Sequence, residues 1–132
     1  MDPETWALTP VVIRDPSWTD VEAAVRRLDN ARFTDVSLSF DEGKDRTSML
    51  LSGGRDDRVI CCVARPDDPA WDQAFRYVVD SEWQSGEFMQ VIGGQGSDLP
   101  ASLSVKREVA LAAARYFFEQ LALDPSLAWE VH

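Results

Sequence analysis

Few residues in this sequence have the types and spacing that catalysis or metal binding requires. His132 is the single histidine and the last residue, a position where we expect the imidazole to be too poorly held for a Ser-His-Asp or Cys-His arrangement. Cys61 and Cys62 are adjacent, and neighbouring side chains on a strand point to opposite faces, so the two cannot bind one zinc ion together. We interpret them as reduced residues of the core.

Two other motifs match chemical sites only in part. Gly93-Gly94-Gln95-Gly96 lacks the Lys-Ser/Thr of a phosphate-binding loop and is not followed directly by a helix, so it indicates a turn. The pairs Asp56-Asp57 and Asp67-Asp68 have the chemistry for acid–base catalysis or for binding a hard cation, but neighbouring carboxylates on a loop usually point into water. The sequence therefore predicts no catalytic residue, no metal and no cofactor, and a small hydrolase is the least favoured function.

The excess of acidic residues is concentrated in one segment. The chain has 13 Lys+Arg and 23 Asp+Glu, a net charge of −10, and residues 67–98 hold seven of the acids with Arg76 as their only cation. Aromatic residues are interleaved with these acids; aromatic side chains anchor interfaces, and carboxylates complement a cationic partner. We therefore predict a partner-binding surface made of Asp67, Asp68, Trp71, Asp72, Asp80, Glu82, Trp83 and Glu87.

The aromatic residues of this segment can be either core residues or interface anchors. Trp71 and Phe75 have the spacing of core residues, in which case the acids form a solvated rim around them. Trp83 lies in the segment 81–86, whose composition is typical of an exposed hairpin tip, and is the more suggestive anchor.

Overall composition restricts the partners further. A surface this acidic repels phosphate backbones and anionic lipids, so we expect no binding to nucleic acid or membrane. No stretch approaches the roughly 20 apolar residues of a membrane span, and the segment 1–4 is acidic and not typical of a secretory signal. We expect a cytoplasmic single domain, 1–132, with a basic partner; the sequence does not indicate its oligomeric state.

Two amphipathic helices are predicted from apolar residues at helical spacing. The first covers 18–30 and is started by a capping box at either Thr19 and Glu22 or Ser17 and Asp20. The second runs from a cap at Ser104 to about residue 121, because the alanine-rich interior favours a helix and Pro125 forbids its continuation.

Alternating and continuous apolar runs predict the strands. They fall at 36–40, 49–51, 59–64 and 87–92, with a further one at 127–131, and the segment 66–80 reads as a helical turn followed by a strand. Short loops join the first three, which is typical of an antiparallel meander. The predicted fold class is α+β, an antiparallel sheet of about five to six strands with two main helices packed on it.

The C-terminal third resembles a known family. The segments 105–110, 113–118 and 124–130 are similar to the end of the first-numbered immunity-protein family of bacterial polymorphic-toxin systems, which is associated with deaminase toxins. That family places a glutamate at the start of a helix and a tryptophan just after it, which correspond to Glu108 and Trp129. One departure is visible: family members often carry a Thr-Gly step where this chain reads Gln120-Leu121-Ala122.

The resemblance implies an immunity protein that binds and neutralises a toxin. The implied toxin is a deaminase or nuclease with a basic surface, and covering that surface requires no catalytic residue. Glu108 and Trp129 also fit structural roles, because a carboxylate suits a helix N-terminus and tryptophan fills space between a helix and a sheet. The alternative is an acidic adapter or chaperone-like protein-binding module.

Overall fold

The structure is a computed structural model that describes residues 13–42, 45–72, 74–80, 86–92 and 95–132. Its two α-helices are α1 (Trp18–Arg26) and α2 (Arg107–Gln120). Its strands, in chain order, are β1 (Asp35–Glu42), β2 (Asp45–Gly53), β3 (Arg58–Ala64), β4 (Phe75–Val78), β5 (Glu87–Ile92), β6 (Gln95–Pro100), β7 (Ser104–Lys106) and β8 (Trp129–Val131).

Six of the described strands form one antiparallel sheet. Its order is β1-β2-β3-β4-β8, and β7 pairs with β3 beside β4. One edge of β3 is thereby shared, because Cys62–Ala64 pair with β4 and Arg58–Ile60 pair with β7. The predicted meander is β1-β2-β3, and the α+β class with an antiparallel sheet and two main helices is confirmed.

The hairpin of β5 and β6 forms a separate two-stranded sheet. Phe88 of this hairpin packs with Ile60 and Ala101 in a small hydrophobic cluster. Ile60 alternates with the core residues Val59 and Cys61 along β3, so the hairpin covers the face of the main sheet that the helices leave open. The strand predicted at 87–92 is therefore confirmed, although its pairing is with 95–100 rather than with the main sheet.

The main core lies between the sheet and the two helices. Alternate residues of β2 and β3, such as Met49 and Val63, are fully buried against Val25 of α1 and Phe117 of α2. Phe117 also meets the Phe40 ring edge-on at 5.6 Å. Burial of each such side chain stabilises the fold by roughly 1.5–3 kcal/mol, and this core fixes the helices on one face of the sheet.

Helix α1 starts as one of the two predicted capping boxes and ends early. The Ser17 hydroxyl accepts a hydrogen bond from the amide of Asp20 (3.2 Å), and the Asp20 carboxylate accepts one from the amide of Ser17 (3.0 Å). The predicted end at residue 30 is wrong, because the helix ends at Arg26. Asp29 Oδ1 accepts hydrogen bonds from the amides of residues 31, 32 and 33, which stabilise a loop in place of further helix.

Helix α2 differs from the prediction at its start. Ser104 is not its cap: it lies in β7, fully buried, and its hydroxyl donates to the carbonyl of Ala101 (2.7 Å). The helix begins at Arg107, three residues later. At the C-terminal end of α2, where family members often have a Thr-Gly step, this chain has Leu121. Leu121 adopts the left-handed conformation (φ 54°) that glycine usually adopts after a helix.

The C-terminal residue is better held than we expected. The backbone of His132 exchanges two hydrogen bonds of 2.8 Å with Phe75, which extends the pairing of β4 and β8. Its ring lies 2.7 Å from a carboxylate oxygen of Glu130 and meets Tyr77 edge-on. Within the described ranges, neither helix has the length and apolar character needed to cross a bilayer.

Candidate protein-binding surface

Those acidic residues of the predicted surface that the structure describes lie at opposite ends of the main sheet. Asp67, Asp68 and Asp72 are in the loop between β3 and β4. Asp80 follows β4, and its amide donates to the carbonyl of Ser102 (2.8 Å) near the start of β7. Because β3 rises about 3.3 Å per residue, its two ends are about 20 Å apart. The fold thus separates acids that are neighbours in sequence.

One end of the sheet carries three carboxylates, and we call Asp67, Asp68 and Asp72 the acidic end; Asp67 and Asp72 are exposed and Asp68 is half-buried. Arg46 donates two hydrogen bonds to the Asp67 carboxylate (3.0 and 3.2 Å), and this pairing lowers the pKa of Asp67. Asp68 caps a short turn, since its Oδ1 accepts from the amide of Ala70 (2.9 Å). Asp72 is exposed and adopts the left-handed conformation (φ 47°). These contacts fix the loop and leave its carboxylates at the surface.

Trp71 lies in the core rather than at the surface. Its side chain is 7% exposed and belongs to the main hydrophobic cluster. The guanidinium groups of Arg65 and Arg76 lie 5.2 and 4.3 Å from the centre of its ring, in positions that allow cation–π contact. The core alternative therefore describes Trp71 and is wrong for Phe75, which is 46% exposed at the start of β4. Trp71 offers little area to a partner but positions two cations beside the acidic end.

A groove of about 390 Å³ opens beside the acidic end. Its lining combines apolar and charged side chains: Phe40, Arg46, Thr47, Arg65, Asp67, Asp68, Pro69 and Leu121. The Arg65 Nη2 donates to the carbonyl of Leu121 (3.0 Å), whereas its buried Nε has no hydrogen-bond partner among the described residues. The groove is wide enough for one or two side chains of a partner protein.

Asp80 contacts a buried arginine. The Arg58 side chain is 7% exposed, and its Nη2 donates to Asp80 Oδ2 (2.7 Å). The same guanidinium donates to the hydroxyl of Ser104 (2.9 Å) and to the Ser104 carbonyl. Because a buried guanidinium without an anionic partner is strongly destabilising, Asp80 has a structural function besides any contact with a partner.

The remaining predicted surface residues lie near that same end or outside the described residues. Glu87 is exposed at the first position of β5, next to Gly86, whose carbonyl accepts a hydrogen bond from Ala101 (3.0 Å). Glu82 and Trp83 lie outside the described residues, as does most of the predicted hairpin tip.

Glu108 and Trp129, the two residues that follow the family pattern, both join elements of the fold. Glu108 lies in the first turn of α2, and its carboxylate accepts a hydrogen bond from Arg26 of α1 (3.1 Å). Trp129 packs against the main core, and its indole Nε1 donates to the carbonyl of Asp124 (2.9 Å). These contacts suit the structural interpretation, although Glu108 is also largely exposed.

Arg107 is the residue that sequence reasoning missed. Its side chain, 11% exposed, donates to four carbonyl oxygens and also contacts the Asp57 carboxylate (2.7 Å). The four accepting carbonyls, at 2.8–3.1 Å, belong to Val25, Arg26, Leu28 and Gly54. The guanidinium thus joins the end of α1 and the loop after it to the turn that follows β2, where helix-end carbonyls lack a full set of partners within the helix. The one signal in the sequence is a cation at a helix N-terminus, where the helix dipole disfavours it.

The thiols are shielded from solvent, as predicted for core cysteines. Cys61 and Cys62 are both free and buried. Burial raises the pKa of Cys62 to about 11 and raises that of Cys61 further. Across the described residues, no three His, Cys, Asp or Glu side chains come together in a group that could hold a metal ion.

The fold and its exposed carboxylates define an acidic α+β domain suited to contact with another protein. Residues 11–131 match the family model described as immunity protein Imm1, and the chain therefore belongs to the Imm1 immunity protein family. The resemblance noted in the C-terminal third is confirmed and extends over nearly the whole chain. No curated protein matches it. Membership of an immunity family implies a toxin as partner and points to a non-catalytic inhibitor.

Proposed function

We propose that this protein binds a cognate bacterial toxin in the cytoplasm and neutralises it, the toxin being a deaminase or nuclease that acts on nucleic acid. The observation that carries the proposal is the match to the Imm1 family over residues 11–131, in a chain with a net charge of −10. A toxin of this kind needs a cationic surface for its phosphate-rich substrate, and an acidic protein complements such a surface.

Inhibition then follows from occupancy of the toxin's surface. The bound protein excludes nucleic acid both sterically and through the repulsion of its phosphates by carboxylates. A stable complex needs an interface of roughly 1,200–2,000 Å² in total, with a few buried anchors. The acidic end supplies carboxylates for this interface, and Glu87 supplies another from the opposite end of the sheet.

Co-expression with the polypeptide encoded next to this gene tests the proposal. We expect that polypeptide to arrest growth alone, and we expect this protein to restore growth and to purify with it as a one-to-one complex. A neighbour that is harmless and forms no complex would contradict the proposal and favour the adapter or chaperone-like alternative.

Substitutions within the predicted surface test which part contacts the toxin. We expect Trp83→Ala and charge reversal at Glu82 to weaken binding more than charge reversal at Asp41 or Glu42. Charge reversal at Asp80 should also weaken binding. Because this change removes the contact of Asp80 with Arg58 and can destabilise the fold, the free energy of unfolding must be measured for the same variant. If calorimetry shows equal changes in the Kd for substitutions at 41–42 and at 82–83, the segment around 82–83 is not the part of the surface that contacts the toxin.

A further inference from the structure

The face of the main sheet opposite the helices is covered only in part by the described elements. The β5–β6 hairpin lies over the row that contains Ser52 and Ile60, which are 1% and 2% exposed. Beyond the hairpin, two rows of side chains cross five strands, from β1 at one edge to β8 at the other.

Strand register places these residues side by side. Ser37 lies opposite Leu50, Leu50 opposite Cys62, Cys62 opposite Tyr77 and Tyr77 opposite Glu130, which gives the first row. The second row contains Ser39, Ser48, Ala64, Phe75 and His132. We call these ten residues the open strip; Cys62 near its centre is itself buried, and the surface is formed by the exposed and half-buried side chains around it.

The open strip has a depression between β1 and β4, where several of its side chains are small. Ser37, Ser48 and Ala64 lie beside the larger Phe75, and the depression between them has a volume of about 210 Å³. Phe75 is 46% exposed, which makes it one of the few large apolar residues at the surface. A small-residue floor next to an exposed aromatic ring can receive an apolar side chain from a partner.

The charges of the open strip are confined to one edge. At the chain's 27% of charged residues, ten positions would hold about three, whereas the open strip has Glu130 alone, 2.7 Å from the His132 ring. At the other edge, Asp35 precedes Ser37 and Ser39 on the same face of β1 and is exposed. The cation Arg46 also lies on this face, two residues before Ser48 on β2, but its guanidinium pairs with Asp67. The uncharged centre with Asp35 and Glu130 at its two edges complements an apolar anchor flanked by cations.

We propose that the open strip is the surface on which the toxin docks an apolar side chain, with toxin cations facing Asp35 and Glu130. The inference rests on the proposed function, since membership of the immunity family supplies the partner. Five strands about 4.8 Å apart and two rows about 7 Å apart give an area of about 300 Å², well below the roughly 800 Å² that each partner of a stable complex buries. The open strip is therefore the anchoring centre of a larger toxin interface and is too small to hold two copies of this chain together by itself.

Calorimetric titration with the purified polypeptide encoded next to this gene tests the proposal. Phe75→Ser removes the exposed ring, and Ser37→Arg fills the depression and adds a charge that repels a cationic partner. We expect each to raise the Kd at least about ten-fold, as loss of an interface anchor does. The matched controls are Val131→Ser, at another exposed apolar residue on the opposite face of the sheet, and Ala112→Arg, on the exposed side of α2. We expect these to change the Kd by less than about two-fold.

The outcomes separate this inference from the proposed function. Binding of the unaltered protein together with unchanged Kd values for Phe75→Ser and Ser37→Arg would overturn the docking surface and leave the proposed function standing. Failure of the unaltered protein to bind would overturn both. Circular dichroism and thermal melting identify a variant that fails to fold, in which case the other variant decides. Sedimentation that shows a dimer abolished by Ser37→Arg would assign the open strip to a second copy and overturn the proposal.

Discussion

The two ends of the main sheet use charged residues in opposite ways. At the braced end, which we define by Gly54, Asp57, Arg58, Asp80 and Arg107, two buried guanidinium groups hold separate elements together. At the acidic end, the carboxylates of Asp67, Asp68 and Asp72 are at the surface, and the only guanidinium that pairs with one of them in the described structure, that of Arg46, is itself half exposed. Charge at the braced end thus stabilises the fold, while charge at the acidic end lies at or near the surface.

Acidity in a sequence therefore does not by itself mark a binding surface. Asp80 and Asp72 belong to the same acidic segment, yet one neutralises a buried arginine and the other is exposed. A buried cation determines which carboxylate the fold requires, because its desolvation must be offset by an anion or by several carbonyls. Substitutions at the two ends should therefore affect different measurements.

Loss of the Arg107 side chain should have the largest effect on stability. Arg107→Ala removes the donor to four carbonyls at and near the end of α1 and at Gly54, and leaves Asp57 without its cation. We expect the free energy of unfolding in urea to fall by about 3–5 kcal/mol. Arg115→Ala, which removes an exposed ion pair with Glu119, is the control and should change it by less than about 1 kcal/mol. Similar losses for both variants would contradict the structural function of Arg107.

The next largest effect is expected at Gly54. A Cβ at this position would collide with the carbonyl of Leu28 and lie 2.7 Å from the amide nitrogen of Asp29, so the turn and the end of α1 must separate. Gly86→Ala is a matched control, because Gly86 also has positive φ (92°) but has no atom within 4 Å of such a Cβ. We expect Gly86→Ala to destabilise by roughly 1 kcal/mol and Gly54→Ala by roughly 2 kcal/mol or more. Equal melting temperatures for the two variants would show that close approach at Gly54 is unimportant.

Neutralising the acidic end should change binding rather than stability. Asp68→Asn together with Asp72→Asn removes two charges while keeping side chains that suit a turn. We expect stopped-flow association with the toxin to slow by roughly three- to ten-fold at low salt, with unfolding free energy changed by less than about 1 kcal/mol. The control is Asp56→Asn at the opposite end, an exposed residue that also has positive φ (55°). Equal slowing by the control would indicate that net charge, rather than the acidic end, steers association.

The buried thiols in the middle of the sheet should make the free energy of unfolding depend slightly on pH, an effect that the charged residues at the two ends do not produce in this alkaline range. Burial raises the pKa of Cys62 from 9.0 to about 11, so the unfolded thiol ionises at lower pH than the folded one. The resulting stabilisation is complete below pH 9 and is lost as the pH rises toward 11. We expect urea unfolding to show lower stability at pH 10.5 than at pH 8, and a disulfide reagent to label the folded protein at pH 8 far more slowly than the unfolded one. Rapid labelling of the folded protein would contradict the burial of these thiols.

Local patterns predicted most elements because they depend on neighbouring residues. Alternation in β1 and the apolar run of β3 identified two strands, and helical spacing identified both helices. The contacts of Arg107 could not be predicted in this way, because they join residues about 80 positions apart. The division of the predicted surface could not be predicted either. Strand β4 carries the chain from the acidic end back to the opposite end of the sheet, and this follows from its antiparallel pairing with β3 rather than from the composition of the acidic segment.

Neutralisation of the toxin can be measured by titrating its catalytic activity with this protein. The polypeptide encoded next to this gene is assayed on single-stranded and double-stranded DNA and RNA while the protein is added in increasing amounts. We predict that its activity falls to zero at one equivalent and that the acidic-end variant Asp68→Asn with Asp72→Asn requires a higher concentration for the same inhibition. Activity that persists at a large excess of a folded, bound protein would contradict neutralisation by occupancy of the toxin's surface.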